Sequence, residues 1–166
     1  MKLRALEPQD IEDIYKWEND PEVWKFSDAH THFSRHLLTQ YILSATSCDI
    51  YNDKQLRLIG EVDDKAVGCV DLYDFDPSNH RAGIGILVDS HCRGKGYGRK
   101  MVEEMMTYCQ EHVQLHMLYA IVAEDNEASL KMFESVGFTR SGAFNDWIYD
   151  AKIKNYKTAI ILQILL

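Results

Sequence analysis

The segment Arg93-Gly94-Lys95-Gly96-Tyr97-Gly98 constrains this chain more than any other. Its three alternating glycines lie between an apolar run at 82–88 and a helical stripe of Met101, Val102, Met105, Met106 and Cys109. Glycine lets the backbone turn sharply and lets a ligand approach it closely. A helix starting here points its first amides outward without partners, with the positive end of its dipole behind them. Arg93, Lys95, Arg99 and Lys100 add positive charge in a chain whose net charge is -8. Strand, glycines, charges and helix together read as an anion site, and a pyrophosphate is its natural occupant. The plainer reading, a connecting turn with solvated basic residues, leaves that agreement unexplained.

Two other phosphate binders do not fit. No GxxxxGK(S/T) pattern is present, which disfavours a nucleoside triphosphatase. The glycine spacing is also not GxGxxG, and the loop lies past the middle of the chain, so a dinucleotide-dependent oxidoreductase fits poorly.

Around the loop, hydrophobic periodicity predicts strands at 3–6, 55–62, 66–73, 82–88, 116–123, 138–149 and 156–165. It predicts a helix opening at Pro8 with Ile11, Ile14, Tyr15 and Glu18 on one face. A second opens at Ser34 with Leu37, Leu38, Tyr41 and Ile42, a third covers 99–113, and a short one runs from Asp125 or Asn126 to Val136 before Gly137. The order is β-α-α-β-β-β-α-β-α-β-β, an α/β or α+β protein with a mixed sheet. No linker, repeat or low-complexity tract marks a boundary, so 1–166 is read as a single domain.

The acidic balance, 26 acidic against 18 basic residues, argues against nucleic acid and suits a cationic acceptor. Cys48, Cys69, Cys92 and Cys109 show no metal-ligand spacing and read as free thiols in a reducing compartment. No apolar stretch approaches the length of a membrane span, and the first residues lack a signal core, so a cytoplasmic protein is expected.

The chain resembles the GCN5-related N-acetyltransferases, the GNAT family. Their signature, Arg/Gln-x-x-Gly-x-Gly/Ala after an apolar strand, is matched by Arg93 through Gly98. Ile86-Leu87-Val88-Asp89-Ser90-His91-Cys92 precedes it, with Ser90 where many members have proline. A second signature is matched by Ala123-Glu124-Asp125-Asn126, Ser129 and the run from Leu130 through Gly137 and Phe138. The resemblance covers essentially the whole chain and is nearest in pattern to spermidine N-acetyltransferases and ribosomal-protein N-terminal acetyltransferases. The segments Leu3 through Asp10, Asn79 through Ile86 and Tyr156 through Ile160 carry that likeness but do not separate the two groups.

The resemblance implies a largely antiparallel central sheet with helices on both faces. It implies acetyl-CoA as acyl donor, no metal, and direct transfer of acetyl to a primary amine: a polyamine, another small amine, or a peptide N-terminus. Backbone amides of Arg93, Gly94, Lys95, Gly96, Tyr97, Gly98 and Arg99 would bind the coenzyme pyrophosphate. Leu87 and Val88 would pair with the pantetheine arm, and Asn126 would contact the coenzyme. From the residues alone Asn126 is equally a helix cap, and both roles are compatible. A homo-oligomer through the C-terminal strands is a family-level expectation.

Proton handling departs from the family. Many members place a tyrosine four residues before the Gly-Phe pair to protonate the leaving thiolate; here that residue is Phe133. Tyr97, Tyr149 and Tyr156 are the substitutes considered, with Tyr156 taken as the candidate and water as the alternative. Asp71 shares a strand face with Val67, Cys69 and Tyr73, so it is the candidate to accept a proton or fix an ammonium. A paired structural acid is its competing reading. His30, His32 and His36 read as acceptor-side residues and not as metal ligands. Trp24, Phe26 and Phe33 read as core or dimer contacts ahead of a substrate cage. The loss of the usual acid leaves one other function open, a non-catalytic coenzyme-A-binding regulatory module.

Overall fold

The computed structural model describes residues 1–24, 31–45 and 49–166. Strand β1 (Lys2–Ala5) is followed by a 3-10 turn at Pro8–Asp10 and helix α1 (Ile11–Glu18). Helices α2 (Pro21–Trp24), α3 (Arg35–Ala45) and α4 (Ile50–Asp53) come next, then strands β2 (Leu56–Val62), β3 (Lys65–Asp76) and β4 (Arg81–Val88). Helix α5 (Tyr97–Tyr108), with a wider turn to Val113, leads to β5 (Met117–Ala123), α6 (Glu127–Ser135), β6 (Thr139–Asp150) and β7 (Asn155–Leu165). The expected order therefore holds, with α2 and α4 as two short additions. Each is only four residues, too short for a periodic apolar stripe to announce it. Cys48, Phe26 and His30 lie outside the described residues.

Local chemistry sets the boundaries. Ser34 Oγ accepts the Leu37 amide at 3.1 Å and starts α3, as its sequence position predicts. Leu38 and Ile42 of α3 are buried, whereas Leu37, expected on the same face, is 49% exposed. Between β2 and β3, Asp63 (φ 49°) and Asp64 (φ 58°) form a two-residue turn of left-handed twist, so Lys65 already belongs to β3.

All seven strands form one sheet in the order β1-β2-β3-β4-β5-β7-β6. Every pairing is antiparallel except β4 with β5. On one face, Met101, Val102 and Met105 of α5 and Leu130 and Phe133 of α6 pack on Val70, Leu72, Ile84, Leu118 and Leu162. Each such fully buried side chain contributes about 1.5–3 kcal/mol relative to exposure. On the other, Ile14, Trp17, Leu38 and Ile42 of α1 and α3 pack on Ile59 and Cys69. Alternation along β3 then places Asp71 and Tyr73 on the α1/α3 face.

Candidate active site

The sheet is open at one place. β4 pairs with β5 only through Arg81, Ala82 and Gly83 against Met117, Leu118 and Tyr119. From Ile84 to Val88 the parallel partner is gone, while β5 continues beside β7 as far as Ala123. The two central strands diverge into a cleft about 15 Å long at ordinary strand rise. Its closed end is the Gly83–Tyr119 pair, and its open end leads to the glycine loop.

The direction of the β4 backbone groups follows from two bonds. The Asp89 amide donates to Val67 O on β3 at 2.9 Å. Arg93 Nε donates to Val88 O at 3.2 Å, from the other side of the strand. With alternate residues pointing opposite ways, Ile86 and Val88 present their backbone groups to the cleft, and Leu87 turns its own toward β3. Of the expected pair, Val88 has the orientation for a strand-like contact. Leu87 does not, and its side chain packs toward the α1/α3 core instead. Ile86, one residue earlier, is the position the sequence reading missed.

Beyond Val88, Asp89 ends the strand and shapes the entry to the loop. Its carboxylate accepts Lys16 Nζ at 2.5 Å, Trp17 Nε1 at 2.9 Å and the His91 amide at 2.9 Å. Burial works to raise its pKa, but these three donors outweigh that and hold it well below the usual carboxylate range. Asp89 thereby fastens α1 to the segment leading into the loop. Gly94 and Gly96 then adopt φ of 74° and 77°, the left-handed region, and a Cβ on either would meet nothing within 4 Å. Both face open space, as a cradle for a bulky anion requires. Lys100 is the first residue of α5 whose amide finds a carbonyl one turn back, Gly96 O at 3.2 Å. The amides of Tyr97, Gly98 and Arg99 precede it at the positive end of the helix. Gly98 faces β4, where a Cβ would meet Val88 Cγ2 at 3.4 Å, an ordinary contact. Arg99 pairs with Glu103 at 2.8 Å.

Asn126 lies just past β5, on the far wall of the open end. Its Oδ1 accepts the Ser129 amide at 3.2 Å, so it caps α6 as one of its two expected roles requires. Phe133 is 2% exposed and packs edge-on against Phe138, with ring centroids 5.0 Å apart. It is a core residue.

On the α1/α3 face beside the cleft, Asp71 stands opposite Gly85 of β4. Both its oxygens are engaged by Arg57, Nε to Oδ1 at 2.7 Å and the second fork nitrogen to Oδ2 at 2.8 Å. The remaining guanidinium nitrogen reaches Glu18 Oε1 at 2.6 Å, and the Arg57 guanidinium lies 5.5 Å from the Tyr41 ring. Burial opposes the charge on Arg57, yet Asp71 beside it keeps the pKa well above the usual value. Burial likewise pushes the Tyr41 hydroxyl up. The competing reading of Asp71 as a paired acid describes its geometry: Asp71 is one of two carboxylates sharing a guanidinium.

A groove of about 140 Å³ is lined here by Tyr41, Arg57, Asp71, Tyr73 and Gly85. It shares Tyr41, Gln55, Leu56 and Arg57 with a larger one of about 440 Å³ that reaches Glu7, Ser44 and Asp53.

Tyr156 is not brought to this place. It lies on β7 beyond the end of β5, 53% exposed, with its ring 5.2 Å from that of Tyr149. Along the strands it is about 20 Å from the closed end of the cleft. The two rings belong to the β6–β7 hairpin and Tyr97 to the loop, so none of the three considered tyrosines reaches the closed end. His32 packs its ring 4.7 Å from Trp24, and His36 is exposed on α3. Phe33 packs against the α1/α3 core, and Asn19 ties it down, accepting its amide at 2.8 Å. Among the described residues, no group of three or more His, Cys, Asp or Glu is placed to hold a metal, and no helix is long and apolar enough to cross a membrane. Cys69, Cys92 and Cys109 are free thiols, and burial pushes that of Cys109 up to about 12.

Comparison with known proteins agrees with this geometry. Residues 1–139 match the family model of the acetyltransferase (GNAT) domain. Spermidine N(1)-acetyltransferase of Escherichia coli K12 is 24% identical over 166 residues, covering 98% of this chain and 86% of that protein. A putative ribosomal N-acetyltransferase of Bacillus subtilis is 29% identical over 87 residues, 52% of this chain and 48% of that one. The crystal structure of spermidine N-acetyltransferase from Vibrio cholerae, in complex with CoA and spermine, superposes with a TM-score of 0.88 at 21% identity. That match covers 99% of this chain and 94% of the other. The cradle at Gly94 and Gly96 and the free edge of β4 fit a coenzyme A pyrophosphate and its amide-bearing arm. The chain belongs to the GNAT acetyltransferase family and is an N-acetyltransferase that takes acetyl from acetyl-CoA to an amine.

Proposed function

We propose that the amine is a polyamine, bound on the α1/α3 face with one amino group at Asp71 and the rest of its length along the adjoining groove. The observation that carries this reading is the continuity of the two grooves. Asp71 and Glu18 outnumber the one guanidinium between them, Tyr41 and Tyr73 offer aromatic faces, and Glu7 and Asp53 line the far part. An extended chain of ammonium groups meets carboxylate and ring faces in turn. A peptide N-terminus would place a single charge there and leave the far acids without a cation.

In this reading the coenzyme supplies an acetyl group activated as a thioester. The loop amides from Arg93 to Arg99 hold the pyrophosphate, and Ile86 and Val88 align the arm. Asn126 borders it, and Asp71 orients the acceptor, whose reacting nitrogen loses its proton to solvent. The free thiols suit a reducing cytoplasm. The exposed Phe144, Trp147 and Tyr149 of edge strand β6 favour self-association through the β6–β7 hairpin.

An acceptor panel with acetyl-CoA tests the assignment. Spermidine and spermine are expected to exceed a short diamine and a ribosomal-type N-terminal peptide in kcat/KM by at least about tenfold, one extra charged contact being worth ~1.4 kcal/mol or more. A peptide acetylated as well as spermidine would end the polyamine reading.

A further inference from the structure

With Phe133 in the core and Tyr156 far along β7, the leaving sulfur lacks the acid that the family commonly provides. Another tyrosine is admitted to the closed end of the cleft by a glycine. Tyr73 of β3 stands opposite Gly83 of β4, and its ring lies flat across that strand. A Cβ on Gly83 would come within 2.2 Å of Tyr73 Cε2 and 2.4 Å of Cζ, the carbon bearing the hydroxyl. On Gly85 a Cβ would be 3.9 Å from Cε1. The ring therefore occupies the space that a side chain at 83 would fill and lies in ordinary contact distance of one at 85, with its hydroxyl end over β4. There it meets Tyr119 of β5 edge-on, ring centroids 5.8 Å apart at 84°. Tyr119 is the partner of Gly83 and the last β5 residue paired with β4. The Tyr119 hydroxyl is turned aside to Asp74 at 3.3 Å. Tyr73 also lines the groove that contains Asp71.

We propose that Tyr73 is the catalytic proton donor to the departing sulfur. This rests on the reading that the coenzyme arm runs down the cleft between β4 and β5. As the acceptor nitrogen forms its bond to the acetyl carbon, the carbon–sulfur bond breaks and its electron pair stays on sulfur. Tyr73 gives its Oη proton to that sulfur. The amine reaches the thioester having already lost one proton to solvent, its nitrogen sheds a second to solvent as the amide forms, and the phenolate regains one from solvent, so charge and atoms balance. Gly83 is then the position of this chain that admits the ring.

The test uses Tyr73→Phe, which keeps the ring and removes the hydroxyl, with Tyr119→Phe as control. Tyr73→Phe is expected to lower kcat about 10²-fold, with unchanged calorimetric affinity for CoA and unchanged acceptor KM. A second readout is the ultraviolet absorbance of the thiolate of bound CoA against pH. Losing a donor to the thiolate moves that ionisation to higher pH in Tyr73→Phe, while Tyr119→Phe follows the wild type in both measurements. Gly83→Ala, which keeps the hydroxyl but pushes the ring off β4, is expected to lower kcat in the same direction. Wild-type kcat with an unmoved thiol ionisation in Tyr73→Phe overturns the proposal, as does loss of CoA affinity in that folded variant. If Gly96→Trp binds CoA as tightly as the wild type, the cleft reading itself fails and Tyr73 loses its role with it.

Discussion

The two halves of the active site are built from different materials. The donor side, from Ile86 to Arg99, uses backbone: a strand edge, two left-handed glycines and the first amides of a helix. The proposed acceptor side uses side chains drawn from far apart in the chain, Glu18 of α1, Tyr41 of α3, Arg57 of β2 and Asp71 of β3. A backbone site needs small residues in a fixed local order, so it leaves a compact mark in the sequence. A side-chain site needs only that the fold bring its members together, so it leaves almost none. The donor half is therefore shared across a family, whereas the acceptor half is open to change by single substitutions.

The largest expected effect breaks the donor half alone. Gly96→Trp places an indole in the cradle and forces a side chain into φ 77°, at a folding cost of about 1–2 kcal/mol. CoA affinity should fall at least about 100-fold, a loss of ~2.7 kcal/mol, read by titration calorimetry, while the melting curve stays cooperative.

Arg57→Gln breaks the acceptor half. It leaves Asp71 and Glu18 facing each other without the cation between them, with side chains 29% and 22% exposed. The expected loss of stability is about 2–3 kcal/mol, below that of a fully buried pair because solvent reaches the group. Denaturant unfolding reads it. Acceptor KM should rise while CoA affinity stays; the reverse pattern would show that the halves are not separable.

The smallest effect concerns the joint between them. Asp89 has a depressed folded-state pKa, so its contribution to stability is complete above the unfolded value of ~3.9 and fades as pH falls below it. Asp89→Asn is expected to cost about 1–2 kcal/mol near neutral pH, because its Lys16 partner is half exposed. The gap from wild type should close as pH falls below about 4, followed by tryptophan fluorescence with Trp17 as a local reporter. A gap that stays constant down to pH 2 would show that the bonds act without the charge.

What could be read from the residues follows the same division. The glycine loop, the α5 stripe and the cap at Asn126 were legible because each is local. Glu18 falls on the apolar stripe of α1, an odd place for an acid until Arg57 is seen beneath it. Arg57 in Leu56-Arg57-Leu58 has the alternation of a solvent-facing strand residue, and nothing nearby marks it as buried. Asp71 was visible as an acid on an apolar face, but its partner was not. Tyr73 was seen on that face without a role, because its placement depends on Gly83 across the strand pair. That glycine within 82–88 was the available signal. The length of the cleft depends on where two strands stop pairing, which no residue of either announces.

The free edge of β4 has a consequence for the life of the protein. From Ile84 to Val88 the strand has β3 on one side and no strand on the other, which leaves a row of backbone groups open to fraying and to the strands of other chains. An arm lying along it does the work of an eighth strand, so the acyl donor is also a folding ligand. Resistance to heat and to proteases should then rise with coenzyme concentration as the logarithm of one plus the ratio of that concentration to the dissociation constant. The amount of enzyme that survives in the cell is thereby tied to the supply of its own substrate.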